Sequence, residues 1–69
     1  MMNFTDAVNN MINGKRMIRT PWTGLYVCIM PGQGYIWIIR KDSVNATNAD
    51  IYTPSVDDML ANDWIVKTN

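Results

Sequence analysis

Apolar positions near the start of the chain recur with the spacing of one helical face. Between positions 4 and 12 they fall at i, i+4, i+7 and i+8, which predicts a helix of about two turns. Thr5 is expected to cap its start, and Asn13-Gly14 to end it, because glycine accepts the positive φ needed after the last turn. So short a helix persists only by packing its stripe on another element. The stripe consists of Phe4, Val8, Met11 and Ile12.

The middle of the chain has the composition of β-strands. Residues 25–30 and 35–39 are rich in β-branched and aromatic side chains, and the Pro31–Gly34 segment between them has turn composition. We therefore predict a β-hairpin. Both strands are apolar on both faces, so the helix can cover one face only, and the other face needs a different cover.

Two shorter strands and a loop are predicted around the hairpin. The sequence predicts short strands at residues 15–19 and 64–67, and it predicts a loop for the polar, Asn-rich segment 40–50. The order of elements predicts an α+β fold, in which the N-terminal helix packs on a small antiparallel sheet.

A second, short helix is predicted near the C-terminus. Ser55 can cap its start, and Asp58 stands three residues later at the capping-box position. Met59 and Leu60 are then expected to face inward.

Length and composition limit how this fold can be stabilised. With 69 residues the chain is expected to form one domain, residues 1–69, with a small core. A single cysteine excludes an internal disulfide, and with no histidine an ordinary zinc site is excluded too, so we expect neither metal nor cofactor. Self-association is the remaining way to stabilise so small a chain, and we expect a homo-oligomer.

Charge and hydropathy exclude several classes of partner. Six Lys and Arg balance six Asp, so no net field attracts DNA, RNA or an anionic membrane. The longest apolar run has six residues against the ~20 of a membrane span, and no signal-peptide pattern opens the chain. The expected location is cytoplasmic.

Side chains suited to catalysis are scarce. Without histidine there is no general base with a pKa near 7, and Cys28 stands in a strand, as a buried apolar residue would. Asp57, Asp58 and Asp63 would support a nucleotide hydrolase only if they held a metal. The simpler interpretation is that Asp58 caps a helix and the other two are solvated. We expect no enzymatic activity.

Two aromatic residues in loop segments are candidates for ligand binding. Trp22 lies between Pro21 and Gly24, close to Arg19, and Tyr52 precedes the predicted short helix. An aromatic ring stacks on a base for about 1–3 kcal/mol, and carboxylates accept hydrogen bonds from ribose hydroxyls or an adenine amine. Both rings could instead fill the core of a small oligomer, and residue types alone leave both interpretations open.

Three segments of the chain are distinctive in combination. They are Phe4-Thr5-Asp6-Ala7-Val8 with Asn13-Gly14-Lys15-Arg16, then Ile18-Arg19-Thr20-Pro21-Trp22-Thr23-Gly24, then Tyr52-Thr53-Pro54-Ser55-Val56-Asp57-Asp58-Met59-Leu60-Ala61-Asn62-Asp63-Trp64. Together they resemble a family of small phage and prophage proteins that includes the second type of Thoeris anti-defence protein. The resemblance covers nearly the whole chain, and its C-terminal segment is the most specific part.

The resemblance implies a non-enzymatic function. Members of that family form tetramers of small α+β subunits and sequester cyclic ADP-ribose-type signals, which TIR-domain proteins of the Thoeris system make. Some similar members bind cyclic oligonucleotides. By this resemblance the chain would act as a sponge for a nucleotide immune signal in the cytoplasm of an infected bacterium and would block effector activation.

Roles for individual residues follow from side-chain type once a nucleotide ligand is assumed. Trp22 and Tyr52 would stack on base or ribose faces, while Arg19 and the backbone N–H groups after Ser55 would hold phosphates. Asp57 or Asp58 would accept from ribose hydroxyls or the adenine amine. The candidate ligand-binding residues are Arg19, Thr20, Trp22, Tyr52, Ser55, Asp57 and Asp58.

A function of a different class fits the same sequence. The chain could be a structural or protein-interaction module that inhibits a host protein without a small-molecule ligand. A cavity between subunits, lined by Trp22 and the 52–58 segment, would favour the sponge, whereas a continuous exposed apolar patch would favour the interaction module.

Overall fold

The fold consists of one antiparallel sheet, a helix packed on it and a short second helix. The computed structural model describes residues 1–41 and 47–68. The α+β class predicted from the sequence is confirmed. In chain order the elements are α1 (Phe4–Ile12), β1 (Met17–Arg19), β2 (Leu25–Ile29), β3 (Ile36–Lys41), β4 (Thr47–Ile51), α2 (Val56–Leu60) and β5 (Trp64–Val66).

Helix α1 begins two residues earlier than the predicted cap allows. Its N-cap is Asn3, whose side-chain oxygen accepts a hydrogen bond from the backbone N–H of Asp6 at 2.9 Å. The prediction of Thr5 as the cap is wrong. Asparagine satisfies the free N–H groups at the start of a helix at least as well as threonine, and starting at Phe4 lets that ring pack on Trp64 at 5.6 Å.

The predicted stop of α1 at Asn13-Gly14 is confirmed. Gly14 has a φ of 87°, which only glycine adopts freely. This conformation lets the Gly14 N–H reach the carbonyl of Met11, and the Lys15 N–H reach that of Asn10, both at 3.0 Å. These two bonds satisfy carbonyls that the helix itself leaves free.

The sheet has five antiparallel strands in the order β4-β3-β2-β1-β5. The predicted hairpin is β2–β3, with Val27 opposite Ile38. Its turn has Pro31 and then Gly32 at a φ of 78°, and the Gln33 N–H bonds to the Met30 carbonyl at 3.1 Å, as in a type II turn. Strand β1 lies between β2 and β5, so residues far apart in sequence become neighbours there.

Part of the segment predicted as a loop is strand. Residues 40–41 end β3 and residues 47–51 form β4, which pairs with β3, whereas residues 42–46 lie outside the described residues. Asn48 and Asp50 have low strand propensity, but β4 is an edge strand and both side chains are exposed. Pairing with β3 decides the conformation here, because strand propensity is weak against a formed hydrogen-bond ladder.

The core lies between α1 and the face of the sheet turned toward it. Trp64, Met11, Met17 and Val27 are its largest fully buried side chains. Tyr52 follows β4 directly and joins this core at 8% exposure, since its backbone N–H still pairs with Ile36 at 2.8 Å.

The opposite face of the sheet is also apolar, and we call it the far sheet face. Its side chains alternate with those of the core along each strand, and among the described residues none belongs to the core cluster under α1. Most are half-buried, and Ile51 is 52% exposed. The far sheet face comprises Ile18, Tyr26, Cys28, Trp37, Ile39, Ile51 and Ile65.

Helix α2 is turned the opposite way from the prediction. Met59 and Leu60 are 45% and 74% exposed, so the expectation that they face inward is wrong. The helix instead turns Asp58 inward, with only 15% of that side chain exposed, because Arg19 and Tyr52 bind it there. Over the described ranges 1–41 and 47–68, neither helix has the length and hydropathy needed to cross a membrane.

Candidate functional site

Five side chains from distant parts of the chain meet beside α2. They come from the end of β1, the turn after it, the position directly after β4, α2 itself and the loop before β5. We call them the aromatic–carboxylate cluster: Arg19, Trp22, Tyr52, Asp58 and Asp63.

Arg19 is held by two carboxylates. Its Nε and Nη2 donate to the two oxygens of Asp63 at 2.8 and 3.2 Å, and its Nη1 donates to Asp58 at 3.0 Å. The side chains of Arg19, Asp58 and Asp63 are 21%, 15% and 27% exposed. A bidentate pair of this kind is strong and directional. The guanidinium predicted to hold phosphate therefore already faces two anions, and the group carries a net negative charge.

Asp58 connects Arg19 to the hydrophobic core. The Tyr52 hydroxyl donates to its second carboxylate oxygen at 2.6 Å, and the indole N–H of Trp64 donates to its backbone carbonyl at 3.1 Å. Its own backbone N–H donates to the Ser55 hydroxyl at 3.1 Å, which is the predicted cap. Both carboxylate oxygens of Asp58 are thus occupied within the chain.

These contacts shift the pKa values of both carboxyl groups and of the Tyr52 phenol. Burial raises the pKa of Asp58, but hydrogen bonds from Tyr52, Arg19 and Ser55 outweigh it, and the pKa lies below the usual 3.8. Hydrogen bonding to Arg19 lowers the pKa of Asp63. Burial and the hydrogen bond to Asp58 raise the pKa of the Tyr52 phenol well above its usual 10.0. The cluster therefore favours ionised acids and a neutral phenol.

Stability should fall at both ends of the pH range. Because folding lowers the pKa of Asp58 and Asp63, their contribution is present above pH 3.8 and is lost as pH falls through the lower folded values. Because folding raises the pKa of Tyr52, its contribution is present below pH 10.0 and is lost above it. Urea midpoints measured across pH should show both losses, and Tyr52→Phe should lessen the alkaline one. An acid limb that is unchanged in Arg19→Gln would contradict the assignment.

Trp22 is half-buried at the edge of the core. Its ring meets Trp64 at 5.2 Å and 78° and Tyr52 at 6.3 Å and 77°, both edge-on contacts. Its backbone N–H closes a turn to the Arg19 carbonyl at 2.9 Å. Trp22 thus has features of both interpretations, with one part packed on the core and the rest exposed. Tyr52 is buried, so in a single chain Trp22 offers the larger ring surface.

The remaining predicted residues lie around the cluster. Thr20 is exposed, its backbone N–H donates to the Asp63 carbonyl at 3.1 Å, and its hydroxyl lies 3.5 Å from the Asp63 carboxylate. Asp57 is exposed in the first turn of α2, next to the Ser55 cap. All seven predicted residues thus lie at one end of the molecule, with Asp57 facing solvent.

Asp63 is the member that the sequence did not single out for binding. The interpretation of Asp63 as a solvated acid is wrong, because its carboxylate accepts two hydrogen bonds from Arg19, and nothing in the local pattern links the two residues. The pairing of β1 with β5, with Arg19 opposite Trp64, brings the two residues together across 44 positions. Only the strand order could have revealed this contact.

The Ser55 cap provides a direct test of α2. Ser55→Ala should lower the free energy of unfolding by about 1 kcal/mol, because the Asp58 N–H loses its acceptor. Urea denaturation followed by circular dichroism would measure this, with the exposed Thr53→Ala as the matched control. If Ser55→Ala were as stable as the wild type, the Ser55 hydroxyl would not stabilise the start of α2.

Two structural observations concern the metal site that a nucleotide hydrolase would need and the cavity that a sponge would need. Among the described residues, no three acids or cysteines lie close enough to hold a metal ion, so Asp57, Asp58 and Asp63 do not form such a group. The described part of a single chain also contains no pocket.

Fold and cluster together define a small α+β domain that presents a tryptophan beside carboxylates fixed by an arginine. The chain belongs to the Thoeris anti-defense 2-like (Tad2-like) domain family, whose model matches residues 2–67. Membership confirms the resemblance found in the sequence and gives the chain a role in Thoeris anti-defence. No curated protein matches the chain.

Proposed function

We propose that this protein binds and sequesters a nucleotide immune signal and thereby blocks activation of the defence effector. The ligand would be a cyclic ADP-ribose isomer or, as for some similar proteins, a cyclic oligonucleotide. Binding would take place in the cytoplasm of the infected bacterium and would require no catalysis. Family membership over residues 2–67 supports the anti-defence role, and the aromatic–carboxylate cluster supports the choice of ligand.

The arrangement of Trp22 and the acids carries this proposal. The exposed part of the Trp22 ring can stack on a base, and the exposed carboxylate of Asp57 can accept from ribose hydroxyls or an adenine amine. Asp58 and Tyr52 are engaged with each other at 2.6 Å, so they would fix the geometry of the site more than they contact the ligand. An aromatic surface near hydrogen-bond acceptors is what a nucleoside needs.

Arg19 takes a different role from the one its charge suggested. Three of the five N–H groups of its guanidinium donate to Asp63 and Asp58. The other two N–H groups remain for a ligand. We assign Arg19 chiefly to positioning, since it joins β1 to α2 and to the loop before β5. Arg19→Lys should therefore weaken binding although the charge is kept, because a lysine cannot reproduce the bidentate contact.

The proposed assembly is a homo-oligomer, with a tetramer as the form that the family resemblance implies. The far sheet face is the surface that supports it, because it is apolar and lies outside the core under α1. Packing two such faces would bury apolar area that a 69-residue chain cannot cover alone. The ligand site would lie between subunits only through a second contact in the tetramer, because the aromatic–carboxylate cluster packs on the core under α1 and not on the far sheet face.

Light scattering should find a dimer or tetramer at micromolar concentration. Ile51→Lys should shift the population toward monomer, because it places an unpaired charge on the far sheet face at a position that is 52% exposed in the single chain. Val56→Lys is the matched control, since Val56 is 64% exposed on α2. A monomeric wild type would defeat the assembly proposal, and dissociation by Val56→Lys alone would move the interface to α2.

The central test is direct recovery of the ligand. The protein would be incubated with TIR-derived signals, washed, denatured by heat, and the released material analysed by mass spectrometry. Release of unchanged signal is expected of a sponge. Release of a hydrolysed product would favour a nucleotide hydrolase, and no release would contradict binding.

A second candidate function is supported by the outer face of α2. Val56, Met59 and Leu60 are 64%, 45% and 74% exposed, and they form an apolar strip on a solvent-facing helix. A strip of this kind can dock on another protein. Under this alternative the chain would inhibit a host protein and bind no small molecule.

One double comparison separates the two functions. Leu60→Asp should leave signal release and protection of the phage intact if the chain is a sponge. Loss of protection with no change in signal binding would favour the protein-interaction module. Asp57→Asn tests the opposite case, because it changes the exposed acid of the proposed ligand site and leaves the apolar strip of α2 unchanged.

A further inference from the structure

Two cations stand side by side at one corner of the far sheet face. Arg16 directly precedes β1, and Lys67 directly follows β5. The Lys67 N–H donates to the Arg16 carbonyl at 2.8 Å, which continues the β1–β5 ladder one position beyond the Met17–Val66 pair. Arg16 and Lys67 are therefore opposite each other, and strand alternation puts both side chains on the far sheet face.

Both side chains converge on one aromatic ring. The guanidinium carbon of Arg16 lies 5.4 Å from the centroid of the Tyr26 ring, and the Lys67 ammonium lies 5.6 Å from it. Each distance is within the range of a cation–π contact. The ring therefore holds two like charges close together, although like charges opposite each other on paired strands repel.

This pair of cations differs from Arg19 in its partners. Among the described residues, the only ion pairs join Arg19 to Asp58 and Asp63. Arg16 is also exposed, and its charge counteracts the effect of burial on the pKa of the neighbouring Cys28 thiol. The positive potential at this corner is thus directed across the far sheet face and toward solvent.

We propose that Arg16, Lys67 and Tyr26 form a binding site for a phosphate or diphosphate group. An anion there would bridge the two cations and relieve their repulsion, with charge-assisted hydrogen bonds from both. The Tyr26 ring and the adjacent Ile18 and Ile65 offer an apolar surface for the rest of a phosphorylated small molecule. The site lies at the β1–β5 edge of the far sheet face, whereas Ile51, where the subunit contact is tested, lies on β4 at the opposite edge. The site stands whether or not the aromatic–carboxylate cluster binds a signal.

Titration of the full chain with three probes would test the site. Inorganic diphosphate, ADP and adenosine would each be followed by ¹H–¹⁵N NMR in low-salt buffer. Diphosphate and ADP should bind saturably and shift the amide signals of residues 16, 26 and 67, whereas adenosine should not. Diphosphate binding as tight as ADP binding would assign the affinity to the anion, and tighter ADP binding would add a contribution from the apolar surface.

Charge-neutralising variants complete the experiment. Arg16→Gln and Lys67→Gln should each weaken diphosphate binding by about tenfold. Lys15→Gln removes a neighbouring exposed charge that has no described contact with Tyr26, and it should change affinity by less than about twofold. Circular dichroism would check folding, and Arg16→Gln carries the test if Lys67→Gln does not fold.

Three results would overturn the site. The first is the absence of saturable diphosphate binding at about 10 mM. The second is an equal loss of diphosphate affinity in Lys15→Gln, which would show that the anion responds to the summed charge of the basic residues and not to a specific site. The third is a set of shifts confined to Trp22 and Asp57, which would locate the anion at the aromatic–carboxylate cluster.

Discussion

Replacing Trp64 with alanine is expected to leave the chain largely unfolded. Trp64 is fully buried, its ring packs on Phe4 at 5.6 Å and on Trp22 at 5.2 Å, and its indole N–H holds the Asp58 carbonyl at 3.1 Å. Removing a buried tryptophan costs about 3–5 kcal/mol. A domain of 69 residues has a total stability of about 3–10 kcal/mol, so the loss takes much or all of it.

Circular dichroism and urea denaturation would measure this effect. Trp37→Ala is the control, because Trp37 is half-buried on the far sheet face and lies outside the core under α1. It should destabilise the chain less and act mainly on assembly. A Trp64→Ala variant with a urea midpoint equal to that of the wild type would contradict the position of the core.

Replacing Trp22 with alanine is expected to reduce ligand binding more than folding. Trp22 is half-buried, so its removal should cost about 2 kcal/mol of stability, roughly half the figure for a fully buried ring. Loss of a stacking surface should cost about 1–3 kcal/mol of binding, a factor of about 5 to 150 in affinity. The variant should remain folded and oligomeric.

Binding of a cyclic ADP-ribose isomer, measured beside circular dichroism and light scattering, would separate these effects. Tyr35→Ala is the matched control, because Tyr35 is an aromatic residue that is 56% exposed just before β3. It should keep both stability and binding. A folded Trp22→Ala variant that binds like the wild type would remove Trp22 from the site, and an unfolded one would assign the residue to the core.

A continuous set of contacts joins Trp22, Trp64 and Asp58 into one unit. Trp22 rests on Trp64, Trp64 holds the Asp58 carbonyl, and the Asp58 carboxylate is held by Arg19 and Tyr52. A substitution in this unit will therefore alter both stability and the proposed site. Double-mutant cycles between Trp22 and Asp58 should show coupling, since residues that share partners are seldom additive.

Local signals in the sequence determined the elements whose ends depend on a few neighbouring residues. The stop of α1 at Gly14, the turn at Gly32 and the cap at Ser55 each follow from a backbone angle or a side-chain oxygen within four positions. The hairpin followed from two strand-like segments and the turn between them. Distinctive residue strings likewise determined the family, which the match over residues 2–67 confirms.

The tertiary structure decided what depends on distant partners. Strand β4 exists because β3 pairs with it, although its own residues have low strand propensity. Helix α2 exposes Met59 and Leu60, because Arg19 and Tyr52 hold the other side of the helix through Asp58. A pattern of apolar residues cannot indicate which side of a five-residue helix faces inward when a charged contact competes for that side.

The candidate site divides in the same way. Residue types and resemblance selected the seven predicted residues, and the fold brings them to one end of the molecule. The roles within that set depend on the strand order β4-β3-β2-β1-β5, which brings Asp63 to Arg19 from 44 positions away and engages the guanidinium. The sequence supplies the charges, but only the pairing of β1 with β5 determines which charges meet, because electrostatic contacts depend on distance in space and not on distance along the chain.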